Sequence, residues 1–497
     1  MEEKKPENPG ILNDGKDRFF DINGLRTGVP LNKRNLIVII VCILAFFLLR
    51  ALPLSAYGEL SSTALAMVVV TLIIMVAMDI NLVWPVLFLT VAGLFLNLWS
   101  YKTVANSIGG SPFVMMFGMI VVGMGCEFTP MGKRITYLIL KKFGRKPASL
   151  VIAIGAVSLI LSGFVSNNAV IVMMSAICAT MLNEMGQVPG KSKLGKAIMI
   201  IVAAASMIGG AMLVNGCPVA NLLGMSLLKD ASGGLADISY LDWAKIGVPA
   251  TLLCIFPMGW IYNKYFGVKN SDYAELPDTE LYAKRLKELG PITGSEIRWI
   301  LTVVGMVVSM SLGMSTPKAA LLWAVIAMAP IVGTVPSKTV LKRIPWTIMV
   351  TVLFIPIIAE CFTTHGIGQL IVDLVGPIFK GMSPFVFCLV ATLFHGIISN
   401  VLLNAHTAGL TMDIAFLTPI SLSLGYNPAV VLLPLLFINS CFFIFGIEGS
   451  MLLNKEYGFW ELKDPTPPGC ILLVVCSVIF AVAACLISPL FGLSLYL

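Results

Sequence analysis

The chain has 497 residues, 58% of them hydrophobic and 12% charged, with a mean hydropathy of +0.92. A soluble domain carries about 25% charged residues, so this balance excludes one. The net charge of +7 sits in polar loops between apolar runs, which marks a positive-inside bias rather than a nucleic-acid-binding patch.

The first 34 residues are polar, with Lys4, Lys5 and Lys16 but no apolar core. They read as a cytoplasmic N-terminal segment (1–34), not a cleavable signal peptide. Apolar runs near 20 residues then recur, such as "NLIVIIVCILAFFLLRALPL" (35–54) and "SSTALAMVVVTLIIMVAMDI" (61–80). At about 1.5 Å per residue, each crosses a hydrocarbon core of about 30 Å. The pattern predicts an all-α polytopic membrane protein with about eleven transmembrane helices. The spans lie near 35–55, 62–80, 82–98, 111–132, 196–225, 243–264, 297–315, 318–335, 346–378, 427–453 and 469–494. Two further apolar pairs, 148–184 and 384–422, are read as re-entrant helical hairpins. A polar cytoplasmic linker, 265–296, carries a short amphipathic helix with Leu281, Leu286 and Leu289 near one face. It divides a first membrane repeat, 35–264, from a second, 297–497.

Charge sets the orientation. Of the 33 Lys and Arg, 27 fall in loops assigned to the inner side, and Arg50, Lys102, Lys229, Lys245, Lys318 and Lys380 fall outside them. Reading 148–184 as a hairpin keeps "KRITYLILKKFGRK" and "KSKLGK" on the same side, as the positive-inside rule requires. The N-terminus is then cytoplasmic and the C-terminus extracytoplasmic. The 11 cysteines show no CxxC or Cys/His spacing and read as buried apolar residues.

The two halves look like repeats. "TPMGKRI" (129–135) and "HGIGQLI" (365–371) each introduce a long apolar pair. Ser162 and Ser399 lie 237 positions apart, as do Asn167 and Asn404. "GGAMLVNG" (209–216) has a counterpart in "GIEGSMLLN" (446–454). An odd number of spans between equivalent points makes such repeats inverted, the usual plan of secondary transporters.

Within this frame "LSGFVSNNAVIVMM" (161–174) and "HGIISNVLLNAHTAGL" (395–410) put Ser and Asn at membrane depth. Non-helical backbone survives there only around a cavity or inside protein. Hairpin tips expose free N–H groups that suit anions and free C=O groups that suit Na⁺. The alternative is that Ser and Asn only bond neighbouring helices. "GGAMLVNGCPVAN" (209–221) reads as an unwound helix lining the site rather than a packing kink. Glu448, in the second such break, is a possible proton or cation site, because an acidic group at membrane depth is functional or paired. His406, two residues after Asn404, is read as the most site-like of the three histidines, although a satisfied interior histidine competes with a proton relay. Asp413 and Glu127 are read equally well as structural partners of nearby donors.

On these motifs, with "FGMIVVGMGCEFTPMGKRI", "SMIGGAMLVNGCPVANLL" and "LKELGPITGSEIRW", the chain resembles the divalent-anion/sodium symporter family of the ion-transporter superfamily over nearly its whole length. The resemblance implies a homodimer with eleven spans and two hairpins per protomer, working as an elevator-type transporter. It implies a Ser-Asn-Thr triplet at each tip for Na⁺ and substrate. Here Ser166 and Asn167 match the first Ser-Asn, and Asn168 replaces the Thr. Asn404 matches the second Asn, with Leu403 and Ala405 in place of Ser and Thr. By the resemblance Ser162, Ser166, Asn167, Gly216, Ser399, Asn404 and Gly446 would hold cations. Asn167, Asn168, Asn404 and Thr407 would contact substrate.

The reading is an inner-membrane secondary transporter of a small anionic substrate, a di- or tricarboxylate, coupled to Na⁺ or working by exchange. It has no other cofactor, a lipid bilayer as its surroundings, and no nucleic acid partner. A Na⁺/H⁺ antiporter, a proton-coupled transporter of another solute and a channel are the alternatives. An enzyme is not expected, because no HExxH, GxSxG or clustered acidic motif stands at a span end.

Overall fold

The computed structural model describes residues 33–77, 83–143, 146–269, 279–312, 314–344, 346–351, 357, 364–402, 406–446 and 449–497. Among them the regular structure is helical, apart from one isolated bridge between Tyr426 and Tyr496. The helices of the first half are α1 (Lys33–Arg50), α2 (Ser61–Ala77), α3 (Val83–Phe95), α4 (Tyr101–Ile108), α5 (Ser111–Glu127), α6 (Met131–Phe143), α7 (Pro147–Phe164), α8 (Asn167–Glu184), α9 (Lys193–Gly209), α10 (Pro218–Ala231), α11 (Tyr240–Leu253) and α12 (Ile255–Phe266). After α13 (Thr279–Glu288) come α14 (Gly294–Ser311), α15 (Thr316–Met328), α16 (Ser337–Arg343), α17 (Trp346–Thr351), α18 (Ile367–Phe379), α19 (Pro384–Leu402), α20 (His406–Ser423), α21 (Pro428–Val431), α22 (Leu433–Ile438), α23 (Gly449–Leu452) and α24 (Thr466–Ile487). The helical stretches Tyr101–Cys126, Pro147–Phe164, Tyr240–Phe266, Pro384–Val401 and Thr466–Phe491 are long and apolar enough to cross a membrane.

The core is centred on α9. From Leu194 to Gly209 every residue except Lys196 is buried, so this helix is apolar all round, as a helix enclosed by other helices must be. Its small residues let α7 come close: a Cβ at Gly209 would stand 2.1 Å from the Leu159 carbonyl oxygen. α8 and α12 also pack on α9. A second, smaller core joins α2, α3 and the start of α18, with Ala64, Val86, Leu89 and Ile367 buried.

The structure breaks several predicted spans. The run 196–225 is two helices, because Gly210 and Gly216 loosen the backbone and Pro218 lacks the N–H a continuing helix needs. That is where the sequence predicts unwinding. The run 427–453 is likewise interrupted, with 439–446 non-helical between α22 and α23. The basic segment after residue 130 forms helix α6. The span near 346–378 lies partly outside the described residues, as do most of the N-terminal segment and residues 270–278 of the linker.

One ion pair fixes the linker to the first half. Arg134 of α6 meets Glu296 through two hydrogen bonds, 2.8 Å from Nε and 3.1 Å from Nη2, and also donates to the carbonyls of Gly290 and Pro291. Glu296 is fully buried. It completes a capping box with Thr293 at the start of α14, ahead of the apolar run. The Arg134 guanidinium, helped by the Thr293 donors, pulls its carboxyl down to about 2.

Candidate transport site

Each half contains a pair of long helices, α7 and α8 joined at a short break, and α19 and α20 flanking residues 403–405, which lie outside the described ones. Pro147 and Pro384, which open the first helix of each pair, lie 237 positions apart, the spacing already seen between the Ser and Asn knots. In the first pair α7 ends at Phe164, Val165 is extended, and Ser166 starts α8 without its side chain capping the helix. The first N–H of α8, on Asn167, donates to the Gly216 carbonyl at 3.1 Å. The next, on Asn168, donates to the Asn167 side-chain oxygen at 2.9 Å. Asn167 is buried, while Asn168 is exposed and Ser166 half-buried.

The tip therefore rests against the break that follows α9. A Cβ at Gly216 would stand 2.3 Å from the Ser162 carbonyl oxygen and 2.8 Å from that of Gly210, so only glycine fits between the two backbones. One turn back from the tip, the Ser162 hydroxyl donates to the Ser206 carbonyl at 2.5 Å. Ser162, Asn167 and Gly216, three of the residues that the sequence reading offers to cations, are thus neighbours through their backbones. The Gly216 carbonyl accepts from the Asn167 N–H, the Asn167 side-chain oxygen from Asn168, and the Ser162 hydroxyl donates to the Ser206 carbonyl, with no charged side chain among them.

Two residues that sequence reasoning left without a role hold this break open. The Asn221 amide of α10 donates to the carbonyls of Gly210 at 2.8 Å and of Leu213 and Val214 at 3.3 Å. The Trp243 indole of α11 donates to Ala211 O at 2.9 Å. Both side chains are fully buried, so carbonyls released by unwinding still find donors, as membrane depth demands. Asn221 closes the motif "GGAMLVNGCPVAN", so its place was visible, but its bond partners were not. The side-chain oxygens of Asn215 and Asn221 are buried without a hydrogen-bond partner.

The second pair is built differently. Ser399, expected to line a second cation site, stands 2.9 Å from Nε2 of His395. The same ring nitrogen is 3.0 Å from the Asn439 side-chain oxygen, and Nδ1 is 2.6 Å from the Asp413 carboxylate. The neighbouring Asn400 is fully engaged: its amide donates to Gly396 O and Cys441 O, and its oxygen accepts from Ile444 N. The structure thus turns attention to His395, which sequence reasoning passed over for His406, and gives Asp413 a defined partner. Gly446 is buried against the 460–462 segment, where a Cβ would stand 2.5 Å from Leu462 O. Asn404 and Glu448 lie outside the described residues, as do the side chains of His406 and Thr407.

A family model described as "CitMHS: Citrate transporter" matches residues 65–441, which take in both helix pairs and both breaks. The chain belongs to the citrate transporter family. It is accordingly an integral membrane transporter and not an enzyme, and its likeness to the divalent-anion/sodium symporters holds. This citrate-transporter family member is 23% identical over 433 residues to a sodium-dependent dicarboxylate transporter of Staphylococcus saprophyticus, covering 79% of each chain. It is 20% identical to sodium-dependent dicarboxylate transporters of Staphylococcus aureus, over 72% of this chain and 75% of theirs. Among solved structures, MtrF of Neisseria gonorrhoeae, described with a class of antimetabolite efflux pumps, aligns with a TM-score of 0.54 at 12% identity. That alignment covers 89% of this family member and 97% of MtrF, and it is a likeness of fold alone.

Proposed function

We propose that this protein is a secondary active transporter that carries a di- or tricarboxylate across the inner membrane together with Na⁺. The observation that carries this reading is the meeting of two helix breaks at Ser162, Asn167 and Gly216. A cation there would be held by neutral oxygens, and would neutralise part of the charge of a carboxylate lying against Asn168 and the start of α8. The names of the Staphylococcus relatives support both the carboxylate and the Na⁺. In the second half the resemblance offers Asn404, Thr407, Ser399 and Gly446 as the residues that would serve, with Glu448 two positions after Gly446 in the sequence.

Charge asymmetry supports a cytoplasmic N-terminus, an extracytoplasmic C-terminus and re-entrant helix pairs. Length does not decide re-entrance, because helices of 18 residues such as α7 and α8 reach about 27 Å at 1.5 Å per residue. The 237-residue spacing supports inverted repeats. Elevator movement of both tips against a homodimeric scaffold completes the proposal.

The test is uptake of labelled succinate and citrate into proteoliposomes, with and without an inward Na⁺ gradient, and with vesicles preloaded with unlabelled carboxylate. Accumulation that requires Na⁺ supports the reading. Uptake that needs only internal carboxylate replaces symport by exchange. Passive equilibration without accumulation indicates a channel, and Na⁺ flux without an organic anion, abolished by Glu448→Gln, indicates an antiporter.

A further inference from the structure

Between Glu296 and Glu360 the sequence holds no Asp or Glu, yet it carries five Lys and Arg, three of them within residues 338–343. These three, Lys338, Lys342 and Arg343, stand on the short helix α16, between the apolar α15 and α17. The end of α5 fixes where α16 lies. Phe128 follows the last residue of α5, and the Arg343 guanidinium carbon is 4.8 Å from the centre of its ring. One turn earlier, a Cβ on Gly125 would stand 2.4 Å from the Trp299 ring and 2.9 Å from Thr334 Oγ1, just ahead of α16. α16 therefore sits at the end of α5 that leads into the basic α6, the side that charge asymmetry assigns to the cytoplasm.

The loop before α16 is folded back on α15. The N–H groups of Thr334 and Val335 both donate to Ala327 O, at 2.8 and 2.9 Å, and that of Gly333 donates to Ala329 O at 2.8 Å. A Cβ on Gly333 would stand 2.5 Å from each of these oxygens, so the turn admits only glycine. Val335, Val340 and Ile344 are buried. Lys338, Leu341 and Lys342 follow the i, i+3, i+4 spacing that shares one face of a helix, and all three are exposed. Leu341 is 61% exposed. Trp346, whose indole donates back to Leu341 O at 3.0 Å, is 46% exposed.

Elsewhere in the protein lysines find acids: Lys196, Lys229, Lys245 and Lys463 each stand within 3.1 Å of an Asp or Glu oxygen. Among the described residues Lys338 and Lys342 meet no carboxylate. Water alone would serve the two ammoniums but not the leucine and the indole between and beside them. The headgroup level of a bilayer serves all four. Tryptophan settles there, aliphatic side chains reach the acyl boundary, and lysines extend to phosphates. The cytoplasmic leaflet is the anionic one, and basic clusters at its surface take anionic headgroups.

We propose that α16 and its preceding loop bind one anionic phospholipid, with Lys338 and Lys342 on its phosphate, Arg343 adding charge beside them, and Leu341 and Trp346 against its acyl chains. The leaflet follows the orientation proposed above, whereas the chemistry of the site does not depend on it.

The test titrates the purified full chain in detergent with phosphatidylglycerol or phosphatidylcholine and counts bound lipid by native mass spectrometry. The wild type should hold one phosphatidylglycerol in preference to phosphatidylcholine. Lys338→Gln with Lys342→Gln should weaken it about 30-fold, the effect of two cations at an anionic surface. Lys191→Gln with Lys193→Gln, which removes two other exposed lysines, should leave binding unchanged. A second measurement alters no charge: phosphatidylglycerol brominated on its acyl chains should quench the wild-type fluorescence more than brominated phosphatidylcholine does, and Trp346→Phe should lose that excess. Absence of either the preference or the excess quenching in the wild type overturns the proposal, whether or not the variants fold. An equal loss in the Lys191 and Lys193 variant also overturns it, by reducing the site to general surface charge. So does displacement of the lipid by an equal concentration of glycerol phosphate, which would make the ligand a free phosphate ester.

Discussion

Gly216→Ala is the sharpest probe of the first tip. The new Cβ would lie 2.3 Å from Ser162 O and 2.8 Å from Gly210 O. Ordinary contact begins near 3.4 Å, so the two backbones must separate by about 1 Å. Overpacking of this kind costs about 1–3 kcal/mol, and at 1.4 kcal/mol per factor of ten that is about 5-fold to 150-fold if it falls on the ion-bound state. The separation acts between Ser162 and the Gly216 carbonyl, and so reaches the Asn167 N–H that bonds that carbonyl. The expected outcome is a rise of about 5-fold to 150-fold in the Na⁺ concentration for half-maximal succinate uptake. Gly123→Ala is the control, because a Cβ there meets nothing within 4 Å. Its uptake and melting temperature should match the wild type. A Gly216→Ala protein with unchanged Na⁺ dependence would refute the assignment of this junction to the cation.

Asn221→Ala leaves up to three buried carbonyls of the break without their donor. At about 1–3 kcal/mol for such a loss, the detergent-solubilised protein should melt several degrees lower, and Asn221→Asp, which aims an acceptor at those carbonyls, should be worse. Asn400→Ala removes two bonds between α19 and the second break, and one within α19. A comparable fall in melting temperature is expected, without a selective change in Na⁺ dependence. Arg134→Lys cannot reproduce two bonds to Glu296 and two to carbonyls, and breaking a buried pair costs about 3–5 kcal/mol. Because the Glu296 carboxyl is lowered from an ordinary 4.5 to about 2, the pair stabilises the protein above pH 4.5, and that stability is lost as pH falls toward 2. Melting temperature followed over that window should fall less steeply for Glu296→Gln than for the wild type, and equal slopes would contradict the assignment.

Apolar length and Gly/Pro punctuation made much of the fold legible. The apolar runs mark the helices, and "GGAMLVNGCP" marks a break because Pro218 cannot continue the ladder from α9. Legibility stopped where partners are distant in sequence. Arg134 and Glu296 are 162 positions apart and each reads alone as an ordinary loop charge. His395 and Asp413 sit on two different helices, so no helical spacing relates them, and a histidine near the tip, His406, drew attention first. Asn400 was visible in the literal "SNV" at 399–401, yet only its three bonds show that it serves the backbone. Basic segments mislead in the other direction: the residues of α6 look like a loop because their charges dominate their composition, although Ile135 and Tyr137 pack on the core.

The two breaks are also tied to each other through α9. The Ser440 hydroxyl, at the start of the second break, donates to Met207 O near the end of α9 at 3.3 Å. Beyond that break the Asn454 amide donates to Met199 O at 2.6 Å, and Trp460 holds the Asn454 oxygen in turn. Both bonds are buried and end on the helix that carries the first break. A displacement of one break relative to the other must therefore strip bonds from carbonyls inside the protein, where each lost partner costs about 1–3 kcal/mol. Movement of both breaks with α9 as one body leaves these bonds intact. A disulfide-free test follows from the same geometry. Asn454→Ala removes one of the two ties, so it should raise hydrogen exchange in both breaks together. Exchange confined to the second break would mean that α9 does not couple them.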